Sequence, residues 1–431
     1  MLPTLTVLAL GASVVGTSEL GIAGLLPAIG ADLAVSVGAA GTLVSVYALA
    51  VVVAGPLLTL VLRRAPRRQV LLGALGALAV GNGVTAVAAG FPLLLAARAF
   101  TGAAAAVYAV TALGTATALV GPERRGRAVA VVFGGITVSG VVGVPASTLL
   151  GDVVGWRGVY GGLAALGAAV LFAARLLVPS TPGPPSAPAS PSGTKAQLAA
   201  LVRGRMPYTF VGNAAVTAGH YTASTYFVVL LTRRTDLGPA TAALLLLTGG
   251  VAATLGNAAG GAGADRRTRR TLLVAAVTLA LCLGVVPAVM TGPALTWLTA
   301  LVWSAAFSAF STAAQAGVDR RAGPGAQLAG AVNISVFNTG IAAGSAVGGA
   351  VLGRAGFTGV HLAAAALVVA GLAAVLHAQP RDTPSDPGPV RGRRGAGGCR
   401  QTRAKPAEAT PTPTVRKSSQ IPVRRPAEFR P

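Results

Sequence analysis

Few side chains in this sequence can do chemistry, and most of them stand alone inside long apolar runs. Glu19 is the one acidic residue deep within such a run. A carboxylate that alternates between protonated and ionised forms weights two conformations differently, so it can couple proton entry to the movement of a solute. The competing reading is a structural hydrogen bond at a helix end. Arg98 enters another run at an early position, where snorkelling to the interface is the plain reading. His220 is of the type that titrates near physiological pH, yet a single imidazole in an apolar helix packs neutrally, so it ranks below Glu19. Asn213, Tyr221, Tyr226, Asn333 and Asn338 complete the set. They can line a cavity or hydrogen-bond one helix to another.

The elements that must position these groups are membrane spans. Of 431 residues, 53% are hydrophobic and only 10% charged, against about 25% charged for a soluble domain. Apolar runs of about 20 residues, rich in Ala and Leu, must satisfy their own backbone groups in lipid and therefore read as helices. Twelve are expected, near 5–29, 38–62, 69–89, 92–119, 128–150, 158–178, 208–231, 240–263, 271–291, 294–317, 327–352 and 358–377. The first has no basic region or cleavage site marking a removed signal. In the fifth, Gly134, Gly135, Gly140, Gly143 and Gly151 allow close helix approach and Pro145 removes a backbone hydrogen bond, so a bend is expected.

Two segments break the pattern. Residues 180–206 carry Pro182, Pro184, Pro185, Pro188 and Pro191 among Ser and Gly, and divide six spans, 1–179, from six, 207–378. Residues 379–431 hold twelve basic and four acidic side chains with many prolines, a composition that cannot bury a core. This tail is expected to be a dispensable disordered extension or to rest on anionic lipid.

The net charge of +23 would suggest nucleic acid in a soluble protein. Here the charges cluster between spans. With the N-terminus cytoplasmic, the inner loops hold sixteen Arg and Lys, among them Arg63, Arg64, Arg67, Arg68, Arg266, Arg267, Arg269 and Arg270, while the outer loops hold only Arg157, Arg233, Arg234 and Arg354. That asymmetry puts both termini in the cytoplasm. Loop 59–68 and loop 261–270 recur at an offset of 202 residues, as expected of two parallel halves that rock about a midplane site.

These residues resemble the major facilitator superfamily, and within it the twelve-span bacterial drug:proton antiporters of the chloramphenicol-resistance and arabinose-efflux type. The superfamily's loop signature, Gly-x-x-x-Asp-Arg-x-Gly-Arg-Arg, is matched from Gly261 through Asp265, Arg266, Arg269 and Arg270, departing only at Thr268. The first loop has Thr59 and Pro66 in the glycine places and Arg63 in place of the aspartate, which puts a carboxylate gating role there in doubt. Further marks are Gly16-Thr17-Ser18-Glu19 and Pro27, Arg98 with Gly102, Gly143-Val144-Pro145, Gly155-Trp156-Arg157, and Gly219-His220-Tyr221 with Thr225-Tyr226. The resemblance covers residues 5–377. It implies an all-α membrane protein of twelve transmembrane helices in two pseudo-symmetric six-helix halves, and efflux of small amphipathic compounds by alternating access.

Proton coupling then falls to Glu19 and Arg98, and gating to the arginine loops, the Asp265–Arg266 pair, Gly143 and Pro145. No cofactor is expected beyond the proton gradient. The partners are protons, a small-molecule solute and the bilayer, not nucleic acid, and the chain is expected to act as a monomer in a bacterial cytoplasmic membrane. Exporters of a sugar or an endogenous metabolite, and more remotely a membrane receptor, remain alternatives. The sequence has no Gly-x-x-x-x-Gly-Lys-[Ser/Thr] loop and no metal-spaced His and Cys cluster, so ATP-driven transport and catalysis are disfavoured. Cys282 and Cys399 carry no evident function.

Overall fold

The computed structural model describes residues 2–62, 65–120, 125–179, 201–234, 238–289, 293–322 and 326–378. Arg63 and Arg64, most of the expected linker and the whole expected tail lie outside them. The described part is helical, with no strand.

In chain order the helices are α1 (Leu2–Leu20), α2 (Ile22–Asp32), α3 (Val37–Leu62), α4 (Arg67–Ala86), α5 (Phe91–Ala118), α6 (Arg125–Val138), a π-helical turn (Ser139–Gly143), α7 (Val144–Leu177), α8 (Met206–Ser224), α9 (Phe227–Arg234), α10 (Pro239–Val289), α11 (Pro293–Ala322) and α12 (Ala326–Ala378). Eight described helices are long and apolar enough to cross a bilayer. A straight 50-residue helix would be about 75 Å long, more than twice the hydrocarbon thickness. The three longest are each broken internally, α7 at Gly155, α10 at Arg267 and α12 at Gly356. α10 and α12 each supply two crossings, α7 completes the one begun by α6 and supplies the next, and with the α8 and α9 pair the arrangement is consistent with twelve.

The breaks repeat between the halves. Gly155 (φ 72°, ψ 164°) and Gly356 (φ 60°, ψ −164°) lie 201 residues apart in the same backbone conformation, one reserved almost wholly for glycine. The first span divides at Gly21, between α1 and α2, and the seventh at Thr225 and Tyr226, between α8 and α9. Sequence patterning suggested single uninterrupted spans at both places. Fully apolar segments conceal such breaks because hydropathy is the same on either side.

Large side chains such as Val61, Val153, Leu176 and Leu255 are exposed along the helices, which in water would be an extensive aggregation surface. The interior is organised by half. One apolar cluster, with Leu8, Tyr47, Leu75 and Tyr108, belongs to the first half, and another, with Leu279, Trp303, Phe310 and Val368, to the second. A third joins Leu26, Leu43, Trp156 and Tyr160 to Tyr226 and Ile341 across the divide. The Gly155-Trp156-Arg157 turn clamps this end of the first half: Arg157 pairs with Asp32 and donates to the Ala88 carbonyl (3.0 Å), and Trp156 Nε1 donates to Asp32 (3.2 Å). The Arg157 hydrogen bond holds the Asp32 carboxyl below its usual range.

Candidate functional site

A cavity of about 290 Å³ lies between the halves, about where the two divided spans change direction. From the first half it is lined by Glu19 and Leu20 at the end of α1, Ala23 and Gly24 on α2, Tyr47 on α3, and Gly140 and Val144 around the π turn. From the second half come His220, Tyr221 and Ser224 on α8, Gly249 and Gly250 on α10, and Trp303, Ser304, Phe307 and Ser308 on α11. The lining is mostly apolar, and among the described residues Glu19 is its one carboxylate.

Arg98 sits behind Glu19, fully buried. Its Nη1 donates to the Ser18 carbonyl at 2.8 Å, and its guanidinium carbon lies 4.4 Å from the Tyr47 ring centre. Ser18 Oγ donates in turn to Asn82 Oδ1 (2.7 Å). Arg98 is therefore not at the interface: the fork is anchored to the backbone beside Glu19. Arg98 Nε and Nη2, the Tyr47 and Tyr160 hydroxyls and Asn82 Nδ2 are buried without a described hydrogen-bond partner. Leaving such groups unpaired costs about 1–3 kcal/mol each, a concentration of cost expected at a working site rather than a packed core. Glu19 makes no described ion pair; among the described residues these are Arg157 with Asp32 and Arg320 with Asp265.

The other sequence candidates separate into three places. His220 and Tyr221 line the cavity. Tyr226 does not: its hydroxyl donates to the Ser345 carbonyl (2.8 Å), and its ring packs on Gly41 of the first half. Asn213 and Asn333 are fully buried away from the cavity, with Asn213 Nδ2 donating to Asn333 Oδ1 (2.9 Å) and Asn333 Nδ2 to Gln315 Oε1 (2.8 Å). This chain ties α8, α12 and α11 together. Asn338 Nδ2 donates to Ile334 O within its own helix (3.0 Å) and is not in the lining.

The loop residues also take distinct positions. Arg67 donates to the Gly114 carbonyl (2.7 Å) and Arg68 to the Val178 carbonyl (2.8 Å), so these two cations sit on carbonyls near the C-terminal ends of α5 and α7, where the helix dipole favours positive charge. In the second half Asp265 approaches Arg320 of α11 at 3.5 Å, rather than Arg266, and Arg320 also donates to Ala264 O (2.9 Å). Arg266 and Arg270 are exposed, and Arg269 is half-buried. Gly143 lies against Thr17 of α1, and Pro145 follows the π turn that absorbs its missing N–H.

The described contacts between halves lie at the cavity's level or toward the end remote from the arginine loops. Ser45 Oγ donates to Ala342 O (2.8 Å), a Cβ on Gly38 would come within 2.7 Å of Gly349 O, and one on Gly250 within 2.7 Å of Val141 Cα. Trp303, Phe307 and Tyr47 are cavity residues that sequence reasoning missed. A signal for the α11 pair existed: Trp303 and Phe307 share a face at i and i+4, as do Ser304 and Ser308.

Comparison with known proteins agrees with this architecture. The profile described as Major Facilitator Superfamily matches residues 8–335. The inner membrane transport protein YdhP of Escherichia coli (strain K12) is 32% identical over 373 residues, covering 86% of this chain and 94% of that protein. A chloramphenicol resistance protein of Streptomyces lividans is 32% identical over 350 residues, covering 81% and 89%. Among solved structures, a bacterial homologue of the human lysosomal transporter Spinster, described as inward-facing and unoccupied, superposes with a TM-score of 0.71 at 16% identity over 87% of this chain and 94% of that one.

Proposed function

The chain belongs to the Major Facilitator Superfamily, a multi-pass membrane transporter rather than an enzyme, and we propose that it is a proton-coupled exporter of small amphipathic compounds of the chloramphenicol type. It works in a bacterial cytoplasmic membrane with both termini cytoplasmic. The observation that carries the reading is Glu19: a lone carboxylate on an apolar cavity wall, one residue from the carbonyl that anchors a buried arginine with free N–H groups. An ionisable group in that position is functional by default. The 32% identity to a chloramphenicol resistance protein supports the solute class.

The coupling follows from charge. Ionised, Glu19 is drawn toward the open N–H groups of Arg98, an attraction strong in a low-dielectric interior. Protonated, it loses that attraction and becomes a hydrogen-bond donor on the cavity wall. The two states favour different packings of α1 and α2 about Gly21. The contacts of Gly38 with Gly349 and of Ser45 with Ala342 close one end, and the positive-inside count makes that the outer end. On this reading solute loads from the cytoplasmic side while that end is closed.

Drug susceptibility and drug accumulation in an efflux-deficient bacterium test the reading, with chloramphenicol leading the panel. Wild type is expected to confer resistance that collapses with the proton gradient. Glu19→Gln is expected to abolish it with membrane levels unchanged. Undiminished export by Glu19→Gln would remove the proposed coupling. A well-expressed wild type that protects against no drug would transfer the solute to the metabolite class.

A further inference from the structure

The second-half wall of the cavity is built as a ring stack. The His220 and Phe307 rings lie parallel, 1° apart in plane with centroids at 3.6 Å. Tyr221 meets both edge-on, at 5.0 Å from His220 and 6.0 Å from Phe307. Trp303 Nε1 lies 2.9 Å from His220 Nδ1. An indole nitrogen only donates, so Nδ1 must be the acceptor and the imidazole proton resides on Nε2. His220 Nε2 has no described partner and is not among the buried unpaired atoms, on a ring that lines the cavity. The wall therefore offers flat aromatic surface and one fixed neutral N–H donor.

The opposite wall does not favour a cation. Glu19 is its sole carboxylate, and the buried guanidinium of Arg98 is anchored on the neighbouring residue, so the local charge is balanced when Glu19 is ionised and positive when it is protonated. We propose that His220, Tyr221 and Phe307 form a ring-binding subsite for an uncharged planar aromatic group bearing a hydrogen-bond acceptor, with His220 Nε2–H donating to the acceptor and Trp303 holding the imidazole in that tautomer. His220 is then a specificity residue and not a proton carrier. This deepens the export reading and rests on it for the identity of the site.

Three neutral or charged probes separate the possibilities: N-benzylacetamide, its saturated counterpart N-(cyclohexylmethyl)acetamide, and benzyltrimethylammonium. Their competition against labelled chloramphenicol is measured in everted vesicles, and their thermal stabilisation of the purified protein is measured alongside. N-benzylacetamide is expected to outcompete the cyclohexyl compound about fivefold, the order an aromatic contact adds beyond its area. Phe307→Leu should bring that ratio near one. His220→Gln, which keeps a donor near the Nε2 position, should retain more N-benzylacetamide binding than His220→Leu, and neither should shift the pH profile of residual transport. Equal competition by the two amides in wild type overturns the proposal, as does a ratio untouched by Phe307→Leu or stronger competition by the ammonium compound. A ring preference in thermal stabilisation without any chloramphenicol uptake would uphold the subsite and reject the export reading instead.

Discussion

Arg98 is enclosed by Ser18, Tyr47 and Tyr160, with its free Nε and Nη2 close to the backbone that carries Glu19. A charge so placed is held by Ser18 and two ring faces, with two N–H groups left for an anionic partner. Arg98→Lys retains charge but loses the planar fork. Losing one charge-assisted hydrogen bond, about 1.5–3 kcal/mol, predicts gradient-driven export about ten- to a hundredfold lower at unchanged membrane levels. Full transport by the lysine variant would mark Arg98 as a packing residue. Glu19 was legible as the candidate carboxylate because a charge in an apolar run has no cheap structural use, and it stands on the cavity wall. The asparagines were not separable that way: an amide serves equally in a cavity or between helices, and only the Asn213, Asn333 and Gln315 bonds place two of them in the second role.

At the scale of elements, the long helices turn on particular backbone positions. Gly155 and Gly356 occupy a positive-φ region with extended ψ that side chains rarely enter. Gly155→Ala and Gly356→Ala are each expected to cost about 1–3 kcal/mol, read as a lower unfolding midpoint of the detergent-solubilised protein. An unchanged midpoint in either would mean the turn relaxes into another conformation. The Asp32–Arg157 bridge adds a pH dependence at the first of these turns. Because the Asp32 carboxyl is held below its ordinary range, the bridge contributes above the ordinary carboxylate range and is lost as pH falls through the depressed value. Both side chains are substantially exposed (39% and 43%), so the effect is small and screened by salt. Thermal midpoints at neutral and acidic pH, at low salt, should converge between wild type and Asp32→Asn only at the acidic end.

At the scale of the whole molecule, the halves meet through close backbone approaches at small residues and through the shared cluster of Leu26, Leu43, Tyr226 and Ile341. The backbones at Gly38 and Gly349 approach so closely that neither position has room for a larger side chain. If opening this end is part of the cycle, a Ser45→Cys, Ala342→Cys pair, neighbours across the two halves, in a background lacking Cys282 and Cys399 should crosslink on oxidation and stop export. Reduction should restore it. A crosslinked protein that still transports would show that the contact does not part. Tyr226 belongs to this scale as well, since its hydroxyl bonds Ser345 on α12 while its ring covers Gly41 of the other half.

What the amino-acid order determined alone was the solvent, the repeat and the lone carboxylate. Apolar runs of bilayer length leave helices as the way to satisfy the backbone, and two arginine-rich loops recur at an offset of 202 residues. Which polar groups share a space was decided by the tertiary structure. In lipid, helices are apolar on every face, so hydropathy carries no phase information about which side of a span turns inward. Trp303 and Phe307 became a wall with His220, and Tyr226 left the cavity for the interface, because small residues on neighbouring helices let particular faces come together.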